Sequence, residues 1–189
     1  MSIVRSRWRA ALAFGPALVL ACAAPAEAQW VVHANGPDVF GNTTVVAAAA
    51  NGSGDGMVVQ CDQKKLYVAL ISRGTSSEMD ELSKLSTGIP AMLYLKVDQG
   101  PVRKFDAEMR QWNNTMLGVV ATGRTLAMVA ELREIGAGTQ TLDVGTDVLG
   151  SRATDSFGLL GSTNAMETAV KDCKLNTNPA ASGQAPKQP

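Results

Sequence analysis

The chain has 189 residues, with 17 basic side chains, 17 acidic side chains and one histidine. A near-neutral chain without basic clusters gives no electrostatic basis for binding nucleic acid, so we expect no nucleic-acid partner. A single histidine excludes catalytic and zinc sites that need two imidazoles, and it leaves too few ligands for the usual zinc centre.

The N-terminus has the three zones of a secretory signal in the correct order. A basic start is formed by Arg5, Arg7 and Arg9. Residues 10–24 are apolar or small and uncharged, and Ala26-Glu27-Ala28 has the small-x-small pattern of a cleavage site. We therefore expect residues 1–28 to be removed. The mature chain would then carry a net charge of −2 and be periplasmic or secreted.

Two alternatives apply to the same segment. A membrane-spanning helix needs about 20 predominantly apolar residues, whereas this apolar zone is shorter and contains Gly15 and Pro16. The run Val19-Leu20-Ala21-Cys22 is similar to the lipobox of bacterial lipoproteins, in which the cysteine is acylated. A membrane is therefore an expected partner only if Cys22 is acylated.

The cysteines indicate a disulfide. Loss of Cys22 with the signal would leave Cys61 and Cys173, an even pair in an oxidising compartment where disulfides persist. Two separate buried thiols are the alternative. In the chain-entropy model, a bridge that closes so long a loop contributes on the order of 4–5 kcal/mol.

Strand patterns dominate the first half of the mature chain. The segments with this pattern are residues 30–32, 43–50, 57–61, 66–71, 91–97, 102–112 and, further on, 141–148. Turn-forming residues at 62–65 and 98–101 predict two hairpins.

Helical patterns are fewer. Residues 77–85 predict a short helix or a helical loop, residues 124–135 predict a helix that ends at Gly136, and residues 164–173 predict an amphipathic helix with Cys173 inward. We expect one α+β domain over residues 29–175. It would be an antiparallel sheet or sandwich with two short helices, one near the C-terminus, stapled by the disulfide. Residues 176–189 lack large apolar side chains and predict a disordered tail.

Carboxylates are the remaining candidates for catalysis, because His33 is the only histidine and no cysteine nucleophile is expected to be free. Asp98, Asp106 and Glu108 fall on one predicted hairpin, and Asp106 and Glu108 share a face because strand side chains repeat every two residues. Paired carboxylates can hydrolyse glycosidic bonds. The alternation of this segment is more typical of a solvent-facing strand, so we expect no catalytic residue, no metal ligand and no cofactor.

Several short motifs occur together in the mature chain. They are Trp30 after the signal, Val59-Gln60-Cys61, the run Leu95-Lys96-Val97-Asp98-Gln99-Gly100-Pro101-Val102 followed by Trp112, and Phe157-x-x-x-Gly161-x-x-x-Ala165 before Cys173. Together they resemble the periplasmic VasI/TagO-like proteins associated with type VI secretion. The export signal and cysteine usage are more loosely similar to the invasion-associated locus B group. The resemblance implies a small disulfide-bonded periplasmic β-rich domain that acts by binding and has no enzymatic role.

These observations favour an exported, non-enzymatic binding or accessory protein of a secretion or envelope system. Its partner would be a protein or a cell-wall component. The alternatives are an envelope hydrolase that uses the carboxylates and a lipid-anchored structural protein.

The intact mass of the protein from an expressing cell envelope tests the processing. We expect a species that begins at Gln29 and gains two alkylatable thiols only after reduction. A heavier, lipid-modified species that begins at Cys22 would contradict this processing and establish the lipoprotein alternative.

Overall fold

The computed structural model describes residues 29–39, 41–85 and 87–175. The expected signal with Cys22 and the expected C-terminal tail lie outside these residues. Nine strands and three helices occur in the described part of the chain. They are β1 (Val31–Asn35), β2 (Thr44–Ala50), β3 (Gly56–Cys61), β4 (Leu66–Arg73), α1 (Ser76–Ser83), β5 (Ile89–Val97), β6 (Arg103–Asn113), β7 (Met116–Thr122), α2 (Leu126–Ala137), β8 (Thr141–Val148), β9 (Ser151–Gly158) and α3 (Ser162–Asp172).

The strands form a single antiparallel sheet in the order β1-β2-β3-β4-β7-β6-β5-β8-β9. The predicted α+β class with an antiparallel sheet is therefore confirmed, in the form of one sheet. The hairpins β3–β4 and β5–β6 lie where the turn residues predict them. The sequence patterns did not predict β7 and β9, and the segment at 77–85, predicted as a short helix or a helical loop, contains the helix α1.

The sheet curls until its two ends meet. The backbone N–H of Trp30 donates to the carbonyl of Leu160 at 2.8 Å, and the indole Nε1 of Trp30 donates to the carbonyl of Gly158 at 3.1 Å. Further along this seam, Nδ2 of Asn51 donates to Oδ1 of Asp155 at 3.0 Å. These bonds satisfy polar groups that the edges of an open sheet would leave unpaired.

The main hydrophobic core lies between the inner face of this sheet and the helices α2 and α3. We define the inner face by the alternate strand residues that point towards these helices, such as Val59, Val68 and Leu93, which are fully buried. The helices contribute fully buried side chains including Leu132 and Ala169. Alternation of buried and exposed positions follows because successive strand side chains point to opposite faces.

Helix α1 packs separately, through Met79 and Leu82 against Leu117 of β7. Its N-terminus has a capping box, in which the Thr75 hydroxyl accepts a bond from the Glu78 N–H and the Glu78 carboxylate accepts one from the Thr75 N–H at 2.8 Å. Such caps satisfy backbone donors that have no partner within the helix.

Helix α2 does not end at Gly136 as predicted, because it continues to Ala137 and is capped at Gly138. Gly136 instead lies where α3 comes closest. A side-chain carbon at this position would be 3.0 Å from Cβ of Met166, so a larger residue would push the helices apart. The hydroxyl of Thr163 donates to the carbonyl of Gly136 at 2.7 Å and ties the start of α3 to the end of α2.

The disulfide between Cys61 and Cys173 is confirmed, and it joins the end of β3 to the residue that caps α3. Arg124 reinforces the same junction. Its guanidinium donates to the carbonyl of Gln63 in the β3–β4 turn and, at 2.9 Å each, to the carbonyls of Cys173 and Lys174. A cation next to the last carbonyls of a helix is also favoured by the helix dipole. We call this junction the α3 clamp.

Removing the disulfide should destabilise the fold. For the double variant with Cys61→Ser and Cys173→Ser, we expect a loss of roughly 2–5 kcal/mol, since a long loop becomes unrestrained in the unfolded chain. Urea unfolding of the purified oxidised protein measures it. The control is addition of a reductant, which should lower the unfolding midpoint of the wild type to that of the variant and leave the midpoint of the variant unchanged. Equal midpoints for oxidised wild type and variant would contradict the expectation.

Candidate functional site

Asp98, one of the three carboxylates considered for catalysis, has a structural role in the fold. It follows β5 in a left-handed backbone conformation (φ 48°), and its carboxylate accepts bonds from the N–H groups of Thr139, Gln140 and Thr141 at 2.9–3.0 Å. The bonds from Thr139 and Thr141 lower the pKa of Asp98. Asp98 therefore fastens the β5–β6 turn to the connection between α2 and β8.

Asp106 and Glu108 share a face of β6, as the strand period predicted, and both are exposed. Asp98 is not brought to them. Asp106 pairs with Met92, six residues before Asp98 along β5, which corresponds to about 20 Å at the usual rise per strand residue. Retaining and inverting glycosidases hold two carboxylates within about 10 Å, so the structure separates Asp98 from any such pair.

His33 is an exposed residue of the edge strand β1, and its Nε2 lies 2.9 Å from Oδ1 of Asn35. Within residues 29–39, 41–85 and 87–175, the structure brings together no group of three His, Cys, Asp or Glu side chains that could hold a metal ion. No helix of the described part of the chain has the length and apolar character to cross a membrane.

A groove of about 570 Å³ opens between α2 and α3. Its residues are Arg133, Gly136 and Ala137 of α2 and Thr163, Met166, Glu167, Val170 and Lys171 of α3. The two helices run antiparallel, because Thr163 binds the end of α2 while Arg124, just before α2, binds the end of α3. Gly136 and Met166, where the two helices come closest, both line the groove.

The groove combines an apolar floor with a charged rim. Gly136 and Met166 are buried at its base, and Ala137 and Val170 provide apolar surface. The exposed side chains of Arg133 and Lys171 stand on opposite helices. Among the described residues, neither cation has a carboxylate within ion-pair distance. The exposed carboxylate of Glu167 also lines the groove, so two cations and one carboxylate surround its opening. An apolar ligand surface flanked by negative charge would complement the two cations.

A second cavity, of about 580 Å³, lies at the seam of the sheet and is polar. Asp155 lines it and is bonded to Asn51. Burial, together with the negative charge of Asp55, raises the pKa of Asp155. The Asn51–Asp155 bond joins the sheet edges, so we interpret this region as part of the closure of the sheet.

Glu131 is a buried carboxylate on the core side of α2, with 2% of its surface exposed. Burial and the negative charge of Glu134 raise the pKa of Glu131 to about 7, although Arg103 opposes the shift. The Nε atom of Arg103 lies 3.8 Å from Oε2 of Glu131, and its Nη2 lies 3.3 Å from Oε1 of Glu134. Oε1 of Glu131 has no hydrogen-bond partner among the residues that the structure describes. The helix therefore contains a carboxyl group that gains or loses its proton near neutral pH.

Comparison with protein families, curated proteins and solved structures finds no match for this chain. The similarity to VasI/TagO-like proteins therefore stays a prediction from the sequence motifs.

Sequence reasoning missed both the groove and Glu131. Arg133 and Lys171 are far apart in the chain, and only the packing of two helices brings them to one opening. Glu131 did leave a signal, since it adjoins the predicted apolar stripe that includes Leu132 and Val129. A carboxylate beside such a stripe is a candidate for a buried acid.

Glu131 should make stability depend on pH. Its folded pKa of about 7 exceeds the ordinary value of 4.5, so the folded state binds the proton more tightly and stability falls as pH rises from about 4.5 to about 7. We expect Glu131→Gln to flatten this dependence and to raise stability at pH 8 by about 2–3 kcal/mol. Urea unfolding across this pH range measures both effects.

Glu134→Gln is the matched control for the titration of Glu131. It removes a negative charge that raises the folded pKa of Glu131, so the fall in stability should still begin near pH 4.5 but should be smaller and end at a lower pH. Parallel pH profiles for the wild type and Glu131→Gln would show that Glu131 does not titrate in this range.

Proposed function

We propose that the chain is an exported, non-enzymatic binding protein of the bacterial envelope that docks a protein partner in the α2–α3 groove. The observation that carries this proposal is the groove itself. Exposed Ala137 and half-buried Val170 leave apolar surface open between the two helices, above the buried side chain of Met166. Concave sites with apolar lining and a few polar groups, such as clefts between helices, are common binding sites in proteins.

The chemistry of the groove favours an amphipathic segment of the partner. A helix that places its apolar face in a hydrophobic groove is a common mode of peptide recognition. Arg133 and Lys171, on either side of the opening, would pair with carboxylates that flank such an apolar face. We therefore propose a partner helix whose apolar stripe is bordered by Asp or Glu.

The disulfide supports the exported location. Cytosolic thiols are kept reduced, whereas structural disulfides persist in the periplasm and outside the cell. The Cys61–Cys173 bond joins two buried positions of the core, as a structural disulfide does. The sequence resemblance to periplasmic VasI/TagO-like proteins points to the same compartment and to an accessory role in a secretion or envelope system.

The α3 clamp suits such a binding role. Lys171 lies two residues before Cys173, so the end of the groove is formed by the part of α3 that the disulfide and Arg124 hold against the sheet. A groove with fixed walls loses little conformational entropy when a ligand enters.

Site-specific photo-crosslinking in intact envelopes tests the partner. A photoreactive residue at Arg133 or at Lys171 should capture the same protein, and the crosslinked peptide should contain apolar residues flanked by Asp or Glu. A probe at the exposed Lys104 of β6 should not capture it, because this residue lies on the other face of the sheet. Equal capture at all three positions, or none at the two groove positions, would refute the proposal.

Charge reversal adds a quantitative control. Lys171→Glu should weaken capture from the Arg133 probe about fivefold or more, since it places repulsion where attraction is expected. Lys65→Glu makes the same change in the exposed β3–β4 turn and should leave capture unchanged. Similar losses in both variants would indicate a nonspecific charge effect and contradict docking at the groove.

A further inference from the structure

A third cavity lies on the outer face of the sheet, the face opposite to α2 and α3. It measures about 400 Å³ and is lined by Gln60, Tyr67, Arg110, Gln111 and Trp112. Tyr67 stands between Leu66 and Val68, which are buried on the inner face, so its ring points outwards. The cavity is therefore separated from the groove by the thickness of the sheet and its core.

Two aromatic rings are held in place in this cavity. The guanidinium of Arg110 lies over the Tyr67 ring, 5.4 Å from its centroid. Trp112 lies at a register shift between β6 and β7, and its ring covers Gly118 of the neighbouring strand. A Cβ at position 118 would be 3.4 Å from Cε3 of Trp112, which is van der Waals distance, so the ring packs directly on this strand. Both rings are half-buried, and each keeps part of its surface open.

Polar groups surround the rings and have few partners of their own. In the described part of the chain, the side-chain amides of Gln60 and Gln111 make no hydrogen bond, and Arg110 forms no ion pair. Glu108 lies two residues from Arg110 on the same strand but is not within ion-pair distance. The site thus offers amide donors, amide acceptors and an unpaired guanidinium beside aromatic surface.

A second cation–aromatic pair on the outer face provides an internal comparison. Lys104 lies 5.8 Å from the centroid of the Tyr94 ring. The carboxylate of Asp147 lies near this pair. It is bonded to Arg152 at 2.9 Å, and this bond and, to a smaller extent, the charge of Lys104 lower the pKa of Asp147. A carboxylate therefore lies near the pair at Tyr94, although it is bonded to Arg152, whereas Arg110 at Tyr67 forms no ion pair with any described residue.

We propose that the outer-face cavity binds a glycan of N-acetylated amino sugars that carries a carboxylate, the chemistry of bacterial cell-wall strands. Sugar C–H groups pack on the electron-rich faces of the Tyr67 and Trp112 rings. The amides of Gln60 and Gln111 bond hydroxyl and acetamido groups, and Arg110 pairs with the carboxylate. In the cell this inference rests on the proposed export, because cell-wall glycan lies outside the cytoplasm. The binding site itself is independent of the groove.

The test is an NMR titration of the purified, oxidised mature chain, which contains two tryptophans, Trp30 and Trp112. The probe is the disaccharide of N-acetylglucosamine and N-acetylmuramic acid. We expect the indole N–H signal of Trp112 to shift and that of the buried Trp30 to stay. N,N′-diacetylchitobiose, which lacks the carboxylate, should bind with an affinity at least about tenfold lower. Sodium acetate should produce no comparable shift.

Variants locate the binding. Arg110→Gln should lose about tenfold or more in affinity for the disaccharide, and Trp112→Ala should lose binding to sedimented peptidoglycan sacculi. Tyr94→Ala and Lys104→Gln change the matched pair on the same face and should bind as the wild type does. An unchanged Trp30 signal shows that each variant is folded.

Three outcomes would overturn the inference: no shift of Trp112 with millimolar disaccharide, equal affinity for chitobiose, or an equal shift with acetate. Crosslinking at the groove is a separate experiment with a separate readout. Failure of glycan binding therefore does not contradict the proposed protein partner, and failure of the crosslinking does not contradict the glycan site.

Discussion

The covalent bond between Cys61 and Cys173 and the hydrogen bonds of Arg124 converge on one point, where the chain leaves α3. This point determines how the last helix lies on the sheet. Helix α3 supplies Ala165, Met166 and Ala169 to the core, and with α2 it covers the inner face. A short helix of this kind has little stability alone, so its position depends on tertiary contacts, and the α3 clamp secures them.

The clamp and the curl of the sheet together produce a molecule with two different faces. The inner face is covered by helices, with a groove between them. The outer face bears aromatic, amide and charged side chains directly on the strands. The two proposed sites therefore lie on opposite sides of one sheet, so a partner at one site would not obstruct the other.

Much of the fold follows from local patterns in the sequence. The two predicted hairpins and helices α2 and α3 are found where periodicity and turn residues place them, because a half-buried element repeats its apolar positions at its own period. The cysteine count and the expected oxidising compartment predicted the disulfide without any geometry. In β9 only Phe157 is fully buried, so this exposed edge strand has no apolar alternation to detect. Strand β7 follows β6 after a two-residue turn, and its apolar run was left unassigned. Neither the groove nor the outer-face cavity could be predicted, since both join side chains from elements distant in sequence.

The seam between Trp30 and Gly158 also bears on how the chain reaches this fold. Strands β1 to β4 and β5 to β7 are two meanders of sequence neighbours, which can form from local contacts. The seam joins residues 128 positions apart. Closing so long a loop costs conformational entropy before the contacts of the seam can stabilise it. Folding of this chain should therefore be slow relative to helical proteins of similar size, with the meanders formed early and the sheet curling shut last.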